Sequence, residues 1–267
     1  MLDLEKITTE VRSLACDAGD FLRHECMNFR REYVEKKGAH DYVSYVDKES
    51  ERRIVARLRE ILPEAGFITE EGSASHTSEE YCWVVDPLDG TTNFIHGNAP
   101  FCVSIALRNA TELLIGVVYE VCRNECFWAW KGSPAFMNGQ EIHVSSVALL
   151  DESFIQLGFP YQAERSRAFM VDIINRLYGH VGGIRVQGSA AAELCYVAAG
   201  RFEARLEAFL GPWDIAAGAL IVQQAGGKVS TFTNGDDFYT GREVLASNGK
   251  IHEDLLQIVQ NSLYLCD

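Results

Sequence analysis

An apolar run, Trp83-Val84-Val85, leads directly into Asp86-Pro87-Leu88-Asp89-Gly90-Thr91-Thr92-Asn93-Phe94. The apolar part reads as a buried strand, and it ends in two carboxylates held apart by Pro-Leu. Pro87 locks its own φ and pushes Asp86 toward an extended backbone, so the turn that follows is stiff. Such a turn aims both carboxylates and the Leu88 carbonyl at one point, an all-oxygen site for a hard cation. Gly90 allows close approach of the backbone to a ligand, and the Gly90 and Thr91 amides stand where an opening helix would hold a phosphate. Metal and phosphate sites side by side point to metal-assisted phosphoryl chemistry. Taken alone, Asp-Pro-x-Asp-Gly also makes an ordinary type I turn.

The rest of the pattern sets the fold class. Ile7, Val11, Leu14, Ala18, Phe21 and Leu22 recur at helical spacing, and Ile54 to Leu62 predicts a second helix stopped at Pro63. Strands are expected at 67–69 and 82–85, then consecutively at 101–107, 113–119 and 126–130, with turns at Asn109 and Arg123-Asn124. The second half alternates: strands at 153–157, 184–186, 202–206, 228–230 and 244–246, helices at 164–178, 190–199 and 215–225, and a final helix. Helices, a block of strands, then alternating β and α describe a layered α/β protein with two sheets.

The 267 residues, 47% of them hydrophobic, suffice for a substantial core. No linker-like or repetitive tract interrupts them, so the expectation is one domain over 1–267 with lobes at about 1–150 and 151–267. Met-Leu-Asp-Leu-Glu-Lys has no apolar core of a signal peptide, and the run from Ile215 to Val222 is too short to span a bilayer. The net charge of −14 argues against nucleic-acid or anionic-membrane partners. It also requires that bound cations reverse the local field if a phosphate is to approach. The eight cysteines show no metal-type spacing and read as free thiols in a reducing cytoplasm.

Four motifs in order resemble those of the inositol monophosphatase family of Mg²⁺-dependent, lithium-sensitive phosphatases. They are Val43-Ser44-Tyr45-Val46-Asp47, Phe67-Ile68-Thr69-Glu70-Glu71-Gly72, the 83–94 segment, and Pro212-Trp213-Asp214-Ile215-Ala216-Ala217-Gly218. The resemblance implies an αβαβα sandwich with the active site where the lobes meet, and commonly a homodimer. It implies two or three Mg²⁺ ions, with Mn²⁺ as a substitute. Glu70, Asp86 and the Leu88 carbonyl would hold the first ion, and Asp86 would bridge to a second on Asp89 and Asp214. A third, weaker ion would use Glu70 through water. Thr91, oriented by Asp47, would act with Glu70 on the attacking water, while the Gly90 and Thr91 amides bind phosphate. Gly188, Ser189, Ala190 and Glu207 match segments that contact the alcohol.

Each residue has a plainer reading. Asp214 also suits a helix N-cap, Asp47 the cap of the second helix, and Glu70-Glu71 a solvated acidic pair. Gly188-Ser189-Ala190-Ala191 is an ordinary helix start, and Glu207 suits a surface. Lys36, near the outer metal or phosphate in the family, has Lys37 beside it and reads equally as surface; His96 reads as structural. Gly211-Pro212 and Arg205-Leu206 depart from the animal enzymes, which bears on the alcohol rather than the metal site. The substrate reading is a small phosphate ester, inositol 1-phosphate or a related polyol phosphate. The rivals are histidinol phosphate, fructose 1,6-bisphosphate and 3′-phosphoadenosine nucleotides, the last disfavoured by Thr-Thr-Asn-Phe. A binding protein that kept the scaffold is the alternative of another class.

Overall fold

The computed structural model describes residues 2–29, 34–38, 41–74, 80–161 and 163–262. Two amphipathic helices, α1 (Leu4–Asn28) and α2 (Tyr45–Ile61), flank a short antiparallel hairpin of β1 (Val34–Gly38) and β2 (Asp41–Ser44). Then come β3 (Gly66–Thr69), β4 (Cys82–Asp89), the short α3 (Thr91–Ile95), β5 (Cys102–Arg108), β6 (Leu113–Glu120), β7 (Glu125–Trp130), β8 (Ala135–Met137) and β9 (Gln140–Ile142). Strands β3 to β9 lie in sequence order in one seven-stranded sheet, parallel only between β3 and β4.

The second half supplies β10 (Phe154–Leu157), α4 (Ala163–Leu177), β11 (Gly183–Arg185), α5 (Ala190–Ala198), β12 (Ala204–Ala208) and α6 (Pro212–Gln224). It closes with β13 (Lys228–Ser230), α7 (Phe238–Gly241), β14 (Glu243–Ser247) and α8 (His252–Gln260). Its five-stranded sheet has the order β11-β10-β12-β14-β13, with β10 parallel to both neighbours.

Side-chain alternation along the strands builds the layers. Trp83 and Val85 of β4 pack with α1 and α2, whereas Val84 points to the opposite side and packs with α5 and α6. On β12, Ala204, Leu206 and Ala208 join the core under α4 and α8, which leaves Arg205 and Glu207 facing the central helices. The stack is therefore α1/α2, large sheet, α5/α6, small sheet, α4/α8, the expected αβαβα sandwich. Helices α5 and α6 are apolar on nearly every side because both faces of their layer meet a sheet.

Two element boundaries differ instructively from the sequence reading. Strand β4 runs through the motif to Asp89 instead of ending at Val85, because the ladder slips between Asp86 and Asp89 and Pro87 sits in the irregular stretch. Helix α2 begins at Tyr45, not near Ile54. Its first turns bury Asp47, Ser50 and Glu51, a polar face that apolar periodicity does not register. The hairpin β1–β2 and the strands β8 and β9, all short, were not anticipated. No helix among the described residues is long and apolar enough to cross a membrane, and Cys16, Cys26, Cys82, Cys102, Cys122, Cys126 and Cys195 are free thiols.

His252 locks the small sheet to α8. It is fully buried between the Ser230 and Ser247 hydroxyls, each 2.9 Å from a ring nitrogen. Burial, reinforced by Lys228, pushes its pKa from 6.5 down to about 4. The imidazole is thus neutral in the fold but protonates readily once unfolded. Its stabilising contribution is complete above pH 6.5 and is lost as pH falls toward about 4, a loss on the order of 3 kcal/mol. Urea unfolding at pH 7.5 and pH 4.5 should show this loss in the wild type and a smaller one in His252→Gln.

Candidate active site

The end of β4 delivers the acidic pair. Asp86 is 1% exposed and accepts a hydrogen bond from the Leu88 amide at 2.9 Å, which closes the turn around Pro87. Gly90 follows with φ of 90°, and a Cβ there would lie 2.9 Å from the Pro100 carbonyl oxygen, so only glycine fits. Asn93 Nδ2 then donates to the carbonyls of Pro100 and Gln187, each at 2.7 Å, which ties the motif to the Gly188 loop.

The two central helices bring the remaining groups. Ser189 stands at the N-cap of α5, as the helix-start reading has it, but its hydroxyl donates to Asp89 Oδ2 at 2.7 Å instead of capping. The Ala191 amide donates to the same oxygen at 2.7 Å, so Asp89 terminates a helix from another part of the chain. Asp214 is not an N-cap. It lies three residues into α6, where its carboxylate accepts the Gly211 amide at 2.6 Å. Oxygens of Asp86, Asp89 and Asp214 all lie within 4.8 Å of one another.

Glu70 leaves the end of β3 with its amide on the Val85 carbonyl at 3.2 Å, and its side chain shares a hydrogen bond with Asp86. Glu71 stays outside the cavity that Glu70 and Asp86 line. Asp47 meets both of its readings at once. Oδ2 takes the Ser44 amide and hydroxyl at 2.8 and 2.7 Å, closing a capping box on α2, while Oδ1 stands 3.1 Å from Thr91 Oγ1. Thr91 Oγ1 is also 3.0 Å from the Leu88 carbonyl oxygen. His96 is exposed, and the side chains of Lys36 and Lys37 fall outside the described residues.

Opposite the acidic cluster, Glu207 is not on the surface. The fully buried Arg205 guanidinium joins it to Glu193, whose other oxygen accepts the Gln187 amide at 2.8 Å. Burial dominates and raises the Glu207 pKa to about 7, although Arg205 pulls it down. Gly188 has φ of 83°, with Asn93 packed against it. These groups enclose a cavity of about 420 Å³ lined by Glu70, Asp86, Asp89, Thr91, Asp214 and Glu207, with Phe159, Tyr161 and Arg242 at its rim.

The cluster fits a hard divalent cation. Its donors are carboxylate oxygens, backed by no sulfur or imidazole ligand among the described residues. Burial first, and then the neighbouring negative charges, push Asp86 and Asp214 well above the usual carboxylate range. Two carboxylates that share a hydrogen bond, as Glu70 and Asp86 do, need a proton between them; a cation placed there does the same neutralising work.

The sequence pattern of the inositol monophosphatase family matches residues 3–264. The chain belongs to that family. It is 39% identical over 229 residues to "Nus factor SuhB" of Escherichia coli, covering 85% of this chain and 86% of the relative. It is 34% identical over 260 residues to "Fructose-1,6-bisphosphatase/inositol-1-monophosphatase" of Aquifex aeolicus, covering 97% of each chain. The crystal structure of the suppressor protein SuhB from Bartonella henselae superposes with a TM-score of 0.90 at 35% identity, covering 96% of this chain and 99% of that one. Inositol monophosphatase family members are generally phosphatases, and the two-sheet architecture described above is theirs.

Within this candidate site, sequence reasoning missed Glu51, Ser50, Asn93, Glu193 and Arg242. Asn93 stood inside the motif, and Ser50 and Glu51 follow Asp47 by three and four residues, the spacing of one helix face. Glu193 and Arg242 carried no such signal.

The electrostatics set a sign. A carboxyl whose folded pKa is raised favours folding while protonated, and that contribution is lost as pH rises through the folded value. In chelator at pH 7.5, Asp86→Asn should therefore melt several degrees above the wild type by calorimetry. The advantage should fade as pH falls toward about 3, below the ordinary carboxyl value of about 3.9, where the unfolded carboxyl is protonated as well as the folded one.

Proposed function

We propose that this protein is a Mg²⁺-dependent phosphomonoesterase acting on a small polyol phosphate, with inositol 1-phosphate as the preferred substrate. The observation that carries the reading is the convergence of Asp86, Asp89 and Asp214 within 4.8 Å on the wall of a cavity that also holds Glu70 and Thr91. Hydrolysis of a phosphate monoester is among the slowest uncatalysed reactions, and oxygen ligands around divalent cations suit it. Glu70, Asp86, the Leu88 carbonyl, Asp89 and Asp214 would hold two or three Mg²⁺ ions, with Mn²⁺ able to replace them. Bound there, the ions supply charge neutralisation for the phosphate and the leaving oxygen and lower the pKa of water.

The protein groups do the rest. The Gly90 and Thr91 amides hold the phosphate oxygens. Glu70 and Thr91 Oγ1 orient the attacking water in line with the ester bond. As the new P–O bond forms, the proton of the water passes toward Thr91 Oγ1, whose own proton faces Asp47 Oδ1 at 3.1 Å. The ester P–O bond breaks, and the departing alkoxide takes a proton from solvent water as it leaves toward Gly188, Ser189, Ala190 and Glu207, while the proton gained at Thr91 and Asp47 returns to solvent. Burial raises the Asp47 pKa against the pull of Ser44 and Thr91, which suits a group that shares a proton. Both halves of the chain contribute, so we treat residues 1–267 as one functional unit, working as a cytoplasmic homodimer. The net charge of −14 supports a small-molecule substrate without direct nucleic-acid contact, even though some relatives bear the name Nus factor.

The test is Mg²⁺-dependent phosphate release from inositol 1-phosphate, histidinol phosphate, fructose 1,6-bisphosphate and 3′-phosphoadenosine 5′-phosphate. Inositol 1-phosphate should lead by more than about tenfold in kcat/KM, a difference of roughly 1.4 kcal/mol in transition-state binding. Preference for another ester would reassign the alcohol pocket, and no release from any of them would sink the enzymatic reading. Asp89→Asn should abolish turnover with an unchanged circular dichroism spectrum, and retained turnover would remove Asp89 from the ligand set. Millimolar Li⁺ should inhibit; full activity in its presence counts against the second ion site.

A further inference from the structure

One face of α2 touches three separate segments of the site. Asp47 reaches Thr91. Three residues on, the Ser50 hydroxyl donates to the Pro87 carbonyl at 3.1 Å. Next to it, Glu51 receives three hydrogen bonds from the loop that carries Glu70. Its Oε1 accepts the Thr69 hydroxyl at 2.9 Å and the Ser73 amide at 2.7 Å, and its Oε2 accepts the Glu71 amide at 2.8 Å. The spacing of 47, 50 and 51 puts all three on one side of the helix, and all three are at most 1% exposed.

Glu51 binds the chain on both sides of Glu70. The Glu70 amide ties the loop to β4 on the Val85 carbonyl. Glu51 adds one anchor before it, at Thr69, and two after it, at Glu71 and Ser73. A buried carboxylate is costly unless donors surround it, and here every partner is a donor. Both oxygens are therefore engaged as acceptors. An amide offers one acceptor oxygen and one NH₂, so one of the loop donors would face another donor.

We propose that Glu51 is a positioning residue for the metal site. Through the Thr69–Ser73 loop it sets where the Glu70 carboxylate stands relative to Asp86, and so sets the affinity of the site for divalent cations. Because α2 also holds Thr91 through Asp47 and the Pro87 turn through Ser50, one rigid helix fixes the mutual placement of all three segments. The inference rests on the metal-dependent reading above and extends it to a residue outside the ligand set.

The test is calorimetric titration of the chelator-stripped, full-length protein with Mn²⁺ in the absence of substrate. Wild type, Glu51→Gln, Asp86→Asn and the exposed-site control Glu60→Gln are compared, with thermal melting of each. Glu51→Gln should bind Mn²⁺ about tenfold or more weakly, in the range that supporting residues of metal ligands show. Its kcat for inositol 1-phosphate should fall by a similar factor, with less than about threefold change in KM. Glu60→Gln should match the wild type. Wild-type Mn²⁺ affinity in Glu51→Gln, even with a lowered Tm, would make Glu51 a fold anchor only and overturn the proposal. Should Glu51→Gln fail to fold, Thr69→Val removes one of the three bonds; a weakened Mn²⁺ affinity supports the proposal and an unchanged one overturns it. If the wild type binds no more Mn²⁺ than Asp86→Asn, the metal reading itself falls and takes this inference with it. Wild-type binding with an indifferent Glu51→Gln removes this inference alone.

Discussion

Like charges forced together in a dry place govern this structure. Three carboxylates with oxygens inside 4.8 Å of one another repel, and burial withholds the water that would screen them. At 4 Å a pair of unit charges costs about 4 kcal/mol even at an effective dielectric of 20. No chain assembles such a cluster by local preference, so the surrounding fold must hold it against that repulsion. The raised pKa values of Asp86 and Asp214 are the mark of that tension. A bound cation would turn it into attraction and so let an acidic protein receive an anionic ester at this point.

Each carboxylate is held by a different device. Asp86 closes its own turn through the Leu88 amide. Asp89 takes the Ala191 amide and Ser189 hydroxyl at the start of α5, and Asp214 accepts the Gly211 amide in the first turn of α6. Glu70 is carried by a loop that α2 grips through Glu51. The central helix layer and α2 thus approach the end of β4 from opposite faces of the large sheet. The αβαβα stacking is what lets helix N-termini from one side and a polar helix face from the other converge on one strand end.

The Glu207 wall of the cavity is built on another principle. Arg205 lies wholly inside the protein and bridges Glu193 and Glu207. A buried guanidinium between two carboxylates is weak evidence for stability but a strong determinant of geometry, since removing any member strands the others. Here it holds Glu207 Oε2 on the cavity wall. In the sequence Arg205 registers only as part of a departure from the animal enzymes, and its role as a clamp follows from β12 pointing it toward α5.

The sequence alone determined much of this protein. Stiff Pro-Leu geometry, the glycine at 90 and the apolar run Trp83-Val84-Val85 are local facts, and they foretold both the strand and the oxygen-rich turn. The helices α1, α4, α5, α6 and α8 followed from apolar spacing because each buries an apolar face. Where a buried face is polar, that signal vanishes. The first turns of α2 escaped notice for this reason, and with them Ser50 and Glu51. Only the tertiary structure decided that Asp89 would meet Ala191, that Asp47 would both cap a helix and reach Thr91, and that Glu207 would line the same cavity as Glu70. Those pairings join residues dozens of positions apart, and their strength comes from exclusion of water by the packed layers, which no local pattern encodes.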